Sequence, residues 1–262
     1  MKQIPNIFTL LNLLLGCLAI VCILQPGIII TTNEYGEHPV FLPENIVWAS
    51  CCIGAAAVVD FLDGWVARWM KATSEIGAQL DSLSDVVSFG VAPGMIVYQF
   101  LRYAYAMLPN GLDVAEYFLL PAFLIPIAGA YRLARFNVSV NQKDSFTGVP
   151  IPAVGIWIAS FPLINQFTTS AWQFTLIHTV SFWYFISILS AWLMVSKLPM
   201  LALKFSGGNT QQPKIPYLLA LAVISIISAW LMGWMAVSVG FIAYVLLSLL
   251  YKKLNHDVSG TD

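Results

Sequence analysis

The sequence predicts an all-α fold, a polytopic bundle of about eight transmembrane helices with both termini cytoplasmic. Three observations predict it. Of 262 residues, 59% are hydrophobic and only 10% charged, where soluble proteins carry roughly a quarter charged. The apolar residues fall in runs of about twenty, the length a helix needs to cross a bilayer. The basic residues collect on alternate sides of those runs. Within hydrocarbon each segment must satisfy its own backbone hydrogen bonds, so the runs are expected to be helices.

The first run, about Ile7–Ile30, follows Lys2. It is too long for the apolar part of a signal peptide and no small-residue cleavage site follows, so it reads as a retained span. Further runs cover Ile46–Met70, Gly77–Arg102, Tyr117–Phe136, Pro150–Thr168 and Gln173–Leu198. The last, Ile215–Tyr251, would overshoot a membrane about twofold as one helix. It is therefore divided into Ile215–Met232 and Gly233–Tyr251. With a cytoplasmic N-terminus, Lys2, Arg68, Lys71, Arg132, Arg135, Lys143, Lys197, Lys204, Lys214, Lys252 and Lys253 fall on the cytoplasmic side and only Arg102 opposite. One span more or fewer scrambles that asymmetry. A single transmembrane domain over residues 1–262 is expected, without soluble domain or repeat. The net charge is −1 and no basic tail or stripe appears, which argues against nucleic acid as a partner. Cys17, Cys22, Cys51 and Cys52 lie in apolar runs and read as buried, reduced thiols.

Four acids interrupt the second and third runs: Asp60, Asp63, Asp81 and Asp85. A carboxylate inside a span is costly and needs a partner or a water-filled cavity. Asp60 and Asp63 are spaced i, i+3 and Asp81 and Asp85 i, i+4, so each pair shares a helix face. A short turn near Ala72–Ser74, with Thr73 or Ser74 as N-cap, makes the two helices antiparallel neighbours with their acids at similar depth. Converging carboxylates repel unless divalent cations neutralise them, and oxygen ligands select Mg²⁺, Mn²⁺ or Ca²⁺. Gly64 and Ala67 lie near the face of Asp60, and Gly77 lies one turn before Asp81. Small residues there let a ligand approach the backbone. Arg68, one turn beyond Gly64, is placed to meet a phosphate. Metals and an arginine beside a cleft suit phosphoryl or phosphatidyl transfer. Two other readings compete. The acids could be packing glue for Arg68, Arg132 and Arg135, although four exceed that need. They could mark a cation-transport path or a non-catalytic scaffold, although transport would spread them through the membrane depth.

The stretch Asp60-Phe-Leu-Asp63-Gly64-Trp-Val-Ala67-Arg68, then eight residues, then Gly77-Ala-Gln-Leu-Asp81-Ser-Leu-Ser-Asp85 resembles the signature of the CDP-alcohol phosphatidyltransferase family at every fixed position. The resemblance implies that Asp60, Asp63, Asp81 and Asp85 bind two divalent cations, Mg²⁺ or Mn²⁺, that hold the diphosphate of CDP-diacylglycerol. It implies that Asp85 is also the general base, and that Gly64, Ala67 and Arg68 line the nucleotide site. Pro5-Asn6-Ile-Phe-Thr9-Leu-Leu-Asn12 is similar to the family's N-terminal segment, which assigns Asn6 and Thr9 to the nucleotide as well. Tyr131-Arg132-Leu-Ala-Arg135 and Phe146-Thr147-Gly148-Val-Pro150-Ile-Pro152 resemble segments of its serine-using branch. Arg132 and Arg135 share a face, and a cationic pocket there suits the carboxylate of L-serine, with a turn at Gly148–Pro152 as its roof. Glycerol-3-phosphate and inositol are the alternative acceptors. The resemblance covers about residues 4–160, the expected catalytic core, and the spans within 173–251 carry no readable motif. Expected partners are CDP-diacylglycerol, L-serine, membrane lipids and a second copy in a homodimer. The expected location is a prokaryotic cytoplasmic membrane, with the site facing the cytoplasm.

Overall fold

In the computed structural model the residues described are 4–25, 29–30, 40–69, 75–108, 111–138, 147–201 and 215–259. Apolar runs become helices wherever the chain can close its own backbone hydrogen bonds. In order these are α1 (Ile4–Leu24), α2 (Asn45–Trp69), α3 (Glu75–Asp85), α4 (Ala92–Ala106), α5 (Leu124–Val138), α6 (Ile151–Phe167), α7 (Ala171–Ile177), α8 (Val180–Val195), α9 (Ile215–Met232) and α10 (Ala236–Ser259). A π-helical segment, Val86–Val91, joins α3 to α4, and a 3₁₀ segment, Glu116–Phe123, leads into α5. Five helical stretches among the described residues are long and apolar enough to cross a membrane, or six with α7 and α8 taken together. The chain is a helical membrane protein.

The boundaries differ from expectation in three places. α1 stops at Leu24, ahead of Pro26-Gly27 in the sequence. Proline cannot continue a helix without losing a hydrogen bond. Ile29 and Ile30 instead pair antiparallel with Phe41 and Val40 in a two-stranded ribbon (β1, Ile29–Ile30; β2, Val40–Phe41). The third run extends through Ala106 by way of the π segment. The Gln173–Leu198 run is broken, with α7 and α8 bent by 69°. At this break Trp183 Nε1 donates to the freed Ile177 O at 2.7 Å, and the His178 side chain sets Nε2 2.8 Å from Asn165 Oδ1. The turn expected at Ala72–Ser74 lies outside the described residues.

The division at Gly233 holds. Gly233 adopts φ +57°, a left-handed conformation open to glycine. The rings of Tyr217 and Tyr251 meet 5.2 Å apart, whereas a straight helix would separate them by about 50 Å. α9 and α10 therefore form a hairpin. It docks through α10, where Phe241 stacks on Trp157 at 4.2 Å and Trp157 Nε1 donates to Ser238 Oγ at 3.1 Å.

The centre is aromatic and tightly closed. Trp183 packs on Phe100 at 4.6 Å and on Phe161 at 5.0 Å, and all three are buried. A Cβ at Gly155 of α6 would stand 2.9 Å from Phe89 Cα in the π segment, so the two backbones nearly touch there. All four cysteines are free, as expected, but Cys17 and Cys51 are exposed rather than buried. Polarity sets no preference here, because an apolar surface facing lipid accepts a thiol as readily as the core does.

Candidate active site

Four elements meet at the end of the bundle where α1 begins and α2 and α5 finish. Thr9, Asn12 and Gly16 follow one face of α1 at i, i+3 and i+7. Ser84 Oγ donates to Thr9 O at 3.0 Å, and Ser88 Oγ donates to Asn12 O at 2.9 Å. A Cβ at Gly16 would come within 2.9 Å of Ser88 Cα, so only glycine allows this approach. These contacts clamp α1 to the α3–π junction. Thr9 Oγ1 then donates to Asp63 of α2, and Asn12 Nδ2 donates to Asp85 Oδ1 at 3.4 Å.

The clamp gathers the acids. Asp60, Asp81 and Asp85 present oxygen atoms that all lie within 4.8 Å of one another. Asp85 is buried, while Asp60 and Asp81 are half-buried and open to a ligand. Such a set of hard oxygen donors could hold a metal ion. Asp63 is outside this group of three and is buried against Thr9.

α5 packs on the π segment and carries the arginines in. Asn137 Nδ2 donates to Ser82 Oγ at 2.9 Å, tying the end of α5 to α3. Arg132 is buried and interacts electrostatically with Asp85. Arg135 is half-buried and turns elsewhere: its Nη1 donates to Val195 O at 3.0 Å, closing the C-terminus of α8. Of the remaining expected site residues, Asn6, Gly64 and Gly77 are half-buried on α1, α2 and α3 at this same end. The side chains of Ala67 and Arg68 lie outside the described residues.

The Gly148 turn, expected as the pocket's roof, is bonded to the C-terminal end of α8 and the residues after it. Gly148 adopts φ +76° and its N donates to Leu198 O at 2.8 Å; Val149 N donates to Leu193 O at 3.1 Å. Any Cβ at Gly148 would stand 3.0 Å from Ser196 O. Residues that sequence reasoning missed complete the surround. Ser84, Ser88 and Gly16 carried a readable signal, small or hydroxylic residues at helical spacing on facing spans. Tyr244 of α10 carried none. Its hydroxyl donates to Leu201 O at 3.2 Å, and the side chain lies close to Arg132.

The comparisons with known proteins agree with this geometry. A model of the family described as CDP-alcohol phosphatidyltransferase matches residues 2–182. Two similar proteins are named CDP-diacylglycerol--serine O-phosphatidyltransferase. That of Helicobacter pylori strain J99 is 35% identical over 164 residues, covering 62% of this chain and 58% of its own. That of Bacillus subtilis strain 168 is 30% identical over 190 residues, covering 71% of this chain and 92% of its own. An archaetidylserine synthase of Methanothermobacter thermautotrophicus is 38% identical over 135 residues, covering 49% of this chain and 52% of its own. The chain thus spans less than two thirds of the Helicobacter and Methanothermobacter proteins. Because the family model covers well over half of its length, this chain belongs to the CDP-alcohol phosphatidyltransferase family.

Proposed function

We propose that this protein transfers the phosphatidyl group of CDP-diacylglycerol to the hydroxyl of L-serine, giving phosphatidylserine and CMP. The observation that carries the reading is the convergence of Asp60, Asp81 and Asp85 within 4.8 Å, with buried Arg132 beside Asp85. The names of the relatives point to the same reaction.

In this reading two divalent cations, Mg²⁺ or Mn²⁺, would be held by Asp60, Asp81 and Asp85, whose oxygens converge, together with Asp63, whose carboxylate accepts from Thr9 here. When bound, such ions withdraw charge from the diphosphate and make CMP a better leaving group. Asn6, Thr9, Gly64, Ala67, Arg68 and Gly77 line the nucleotide side. Arg132 receives the serine carboxylate, and Arg135, tied to the end of α8, frames the pocket edge. Asp85 accepts the proton of the serine hydroxyl as that oxygen attacks the β-phosphorus. The bond from that phosphorus to the bridging oxygen breaks, and CMP leaves. Residues 4–160 form the catalytic core in this reading. Eight spans with both termini and the site cytoplasmic follow from the distribution of Lys and Arg, and a prokaryotic cytoplasmic membrane fits the bacterial and archaeal relatives. A homodimer rests on the family resemblance.

Purified protein in detergent should release CMP from CDP-diacylglycerol only when L-serine is present. EDTA should abolish that release, and Mg²⁺ or Mn²⁺ should restore it. Turnover in metal-free buffer, or release indifferent to L-serine, would overturn the proposal.

A further inference from the structure

Two atoms of side chains that interact with Asp85 are buried without a hydrogen-bond partner among the described residues: Asn12 Oδ1, whose Nδ2 bonds Asp85, and Arg132 Nε, whose guanidinium interacts with it electrostatically. Their side chains are 1% and 7% exposed. Folding rarely leaves such groups unsatisfied, because each gives up its water for nothing. Three others share this condition, Ser50 Oγ, Ser190 Oγ and His178 Nδ1. They sit on α2, on α8 and at the α7–α8 break, and none belongs to the acidic cluster.

The pair beside Asp85 is chemically asymmetric. Arg132 Nε can only donate and Asn12 Oδ1 can only accept. The orientation of the amide is dictated by its neighbour. Asn12 Nδ2 donates to Asp85 Oδ1 at 3.4 Å, so its NH₂ is turned to the carboxyl group. The carbonyl oxygen is then left for something else. A molecule satisfying both orphans while offering a hydroxyl to Asp85 needs an anionic group, a hydrogen-bond donor and an alcohol on a short skeleton. The zwitterion of a β-hydroxy α-amino acid has all three. A polyol or a glycerol phosphate offers the amide oxygen only a neutral hydroxyl, a weaker donor than an ammonium group.

We infer that Asn12 determines acceptor specificity by accepting a hydrogen bond from the α-ammonium group of L-serine, opposite the carboxylate held by Arg132. The inference rests on the acceptor reading above and adds to it the recognition of the amine. It also separates Asn12 from Asn6 and Thr9, which face the nucleotide in that reading.

The test compares L-serine with 3-hydroxypropionate, the same molecule without its amine, in the wild type and in Asn12→Leu. A hydrogen bond to a charged group supports discrimination of roughly 10- to 100-fold. Wild type should prefer L-serine by that factor in kcat/KM. Asn12→Leu also removes the hydrogen bond to Asp85 and so lowers kcat for both acceptors alike; beyond that shared loss it should raise KM for L-serine by a similar factor, leave KM for 3-hydroxypropionate unchanged, and keep CDP-diacylglycerol affinity within about twofold, a ratio far inside that range. If Asn12→Leu does not fold, the wild-type comparison decides alone: equal use of the two acceptors overturns the inference. Three outcomes in the variant also overturn it. These are a loss of CDP-diacylglycerol affinity with serine KM unchanged, a fall in kcat alone, and no change at all. Arg132→Ala is measured alongside. If it raises serine KM while Asn12→Leu does not, the inference fails and the acceptor reading stands. If wild type ignores L-serine but uses glycerol-3-phosphate, the acceptor reading itself has failed.

Discussion

At the residue scale, the three clustered aspartates differ in what surrounds them. Asp85 is buried between Asn12 and Arg132, while Asp60 and Asp81 are half-buried. That difference supports separate duties. Asp85→Asn keeps the side-chain volume but cannot take the serine proton, so kcat should fall by about 10²–10⁴-fold with CDP-diacylglycerol still bound in the presence of metal. Asp60→Asn and Asp81→Asn should instead weaken CDP-diacylglycerol binding. Affinity and single-turnover rate for the three variants separate these roles. Asp85→Asn within about threefold of wild type, well under the general-base range, would place the base elsewhere. The arginines differ in the same way. Arg132 is buried and interacts electrostatically with Asp85, whereas Arg135 bonds Val195 O. Arg132→Ala should therefore raise KM for serine much more than Arg135→Ala, and equal effects would assign both to one pocket.

At the element scale, the π segment Val86–Val91 sets the site. It follows Asp85 directly, and Ser88 within it grips α1. Across the segment, Gly155 presses its bare Cα against Phe89, where an added Cβ would stand 2.9 Å from Cα and 3.0 Å from O. Those are backbone atoms and cannot turn aside as a side-chain tip can. Gly155→Ala should thus destabilise by about 1–3 kcal/mol, the usual cost of overpacking. Gly54→Ala, with nothing within 4 Å of the new Cβ, should leave stability unchanged. Thermal melting in detergent measures both. A melting temperature unchanged in Gly155→Ala would mean that α6 can retreat from the π segment.

For the whole molecule, the α9–α10 hairpin is attached on one side only. α10 meets α6 through the Trp157–Phe241 stack and the segment after α8 through Tyr244 and Ser248, the latter accepting from Leu201 N at 3.2 Å. α9 turns outward, with Trp230 85% exposed. In a bilayer such a surface gains little by burial, since lipid is as apolar as the core, and packing decides instead. Phe241→Ala should therefore lower the melting temperature through loss of a stacked pair worth about 0.5–1.5 kcal/mol beyond its area. Trp230→Ala should not. Equal shifts for the two would show that α9 is packed rather than facing lipid.

Much of this protein was legible as one-dimensional pattern. Runs of twenty apolar residues marked the helices because hydrocarbon leaves the backbone no other partner. The aspartate spacing marked the site because i, i+3 and i+4 positions share a face whatever the helix packs against. Gly233 marked the hairpin because the run was too long to cross once. What the sequence could not determine were the contacts between distant segments. The bend between α7 and α8 does not follow from hydropathy, since it depends on where freed backbone groups find partners, whereas the end of α1 at Leu24 carried a readable signal in Pro26. The sorting of Asp63 to Thr9, of Arg135 to Val195 and of Tyr244 to Arg132 depends on helix rotation and depth. These are set by close contacts such as Gly16 on Ser88 and Gly155 on Phe89. Each is a match of shape between residues far apart in the chain, and such a match exists only once the helices have packed.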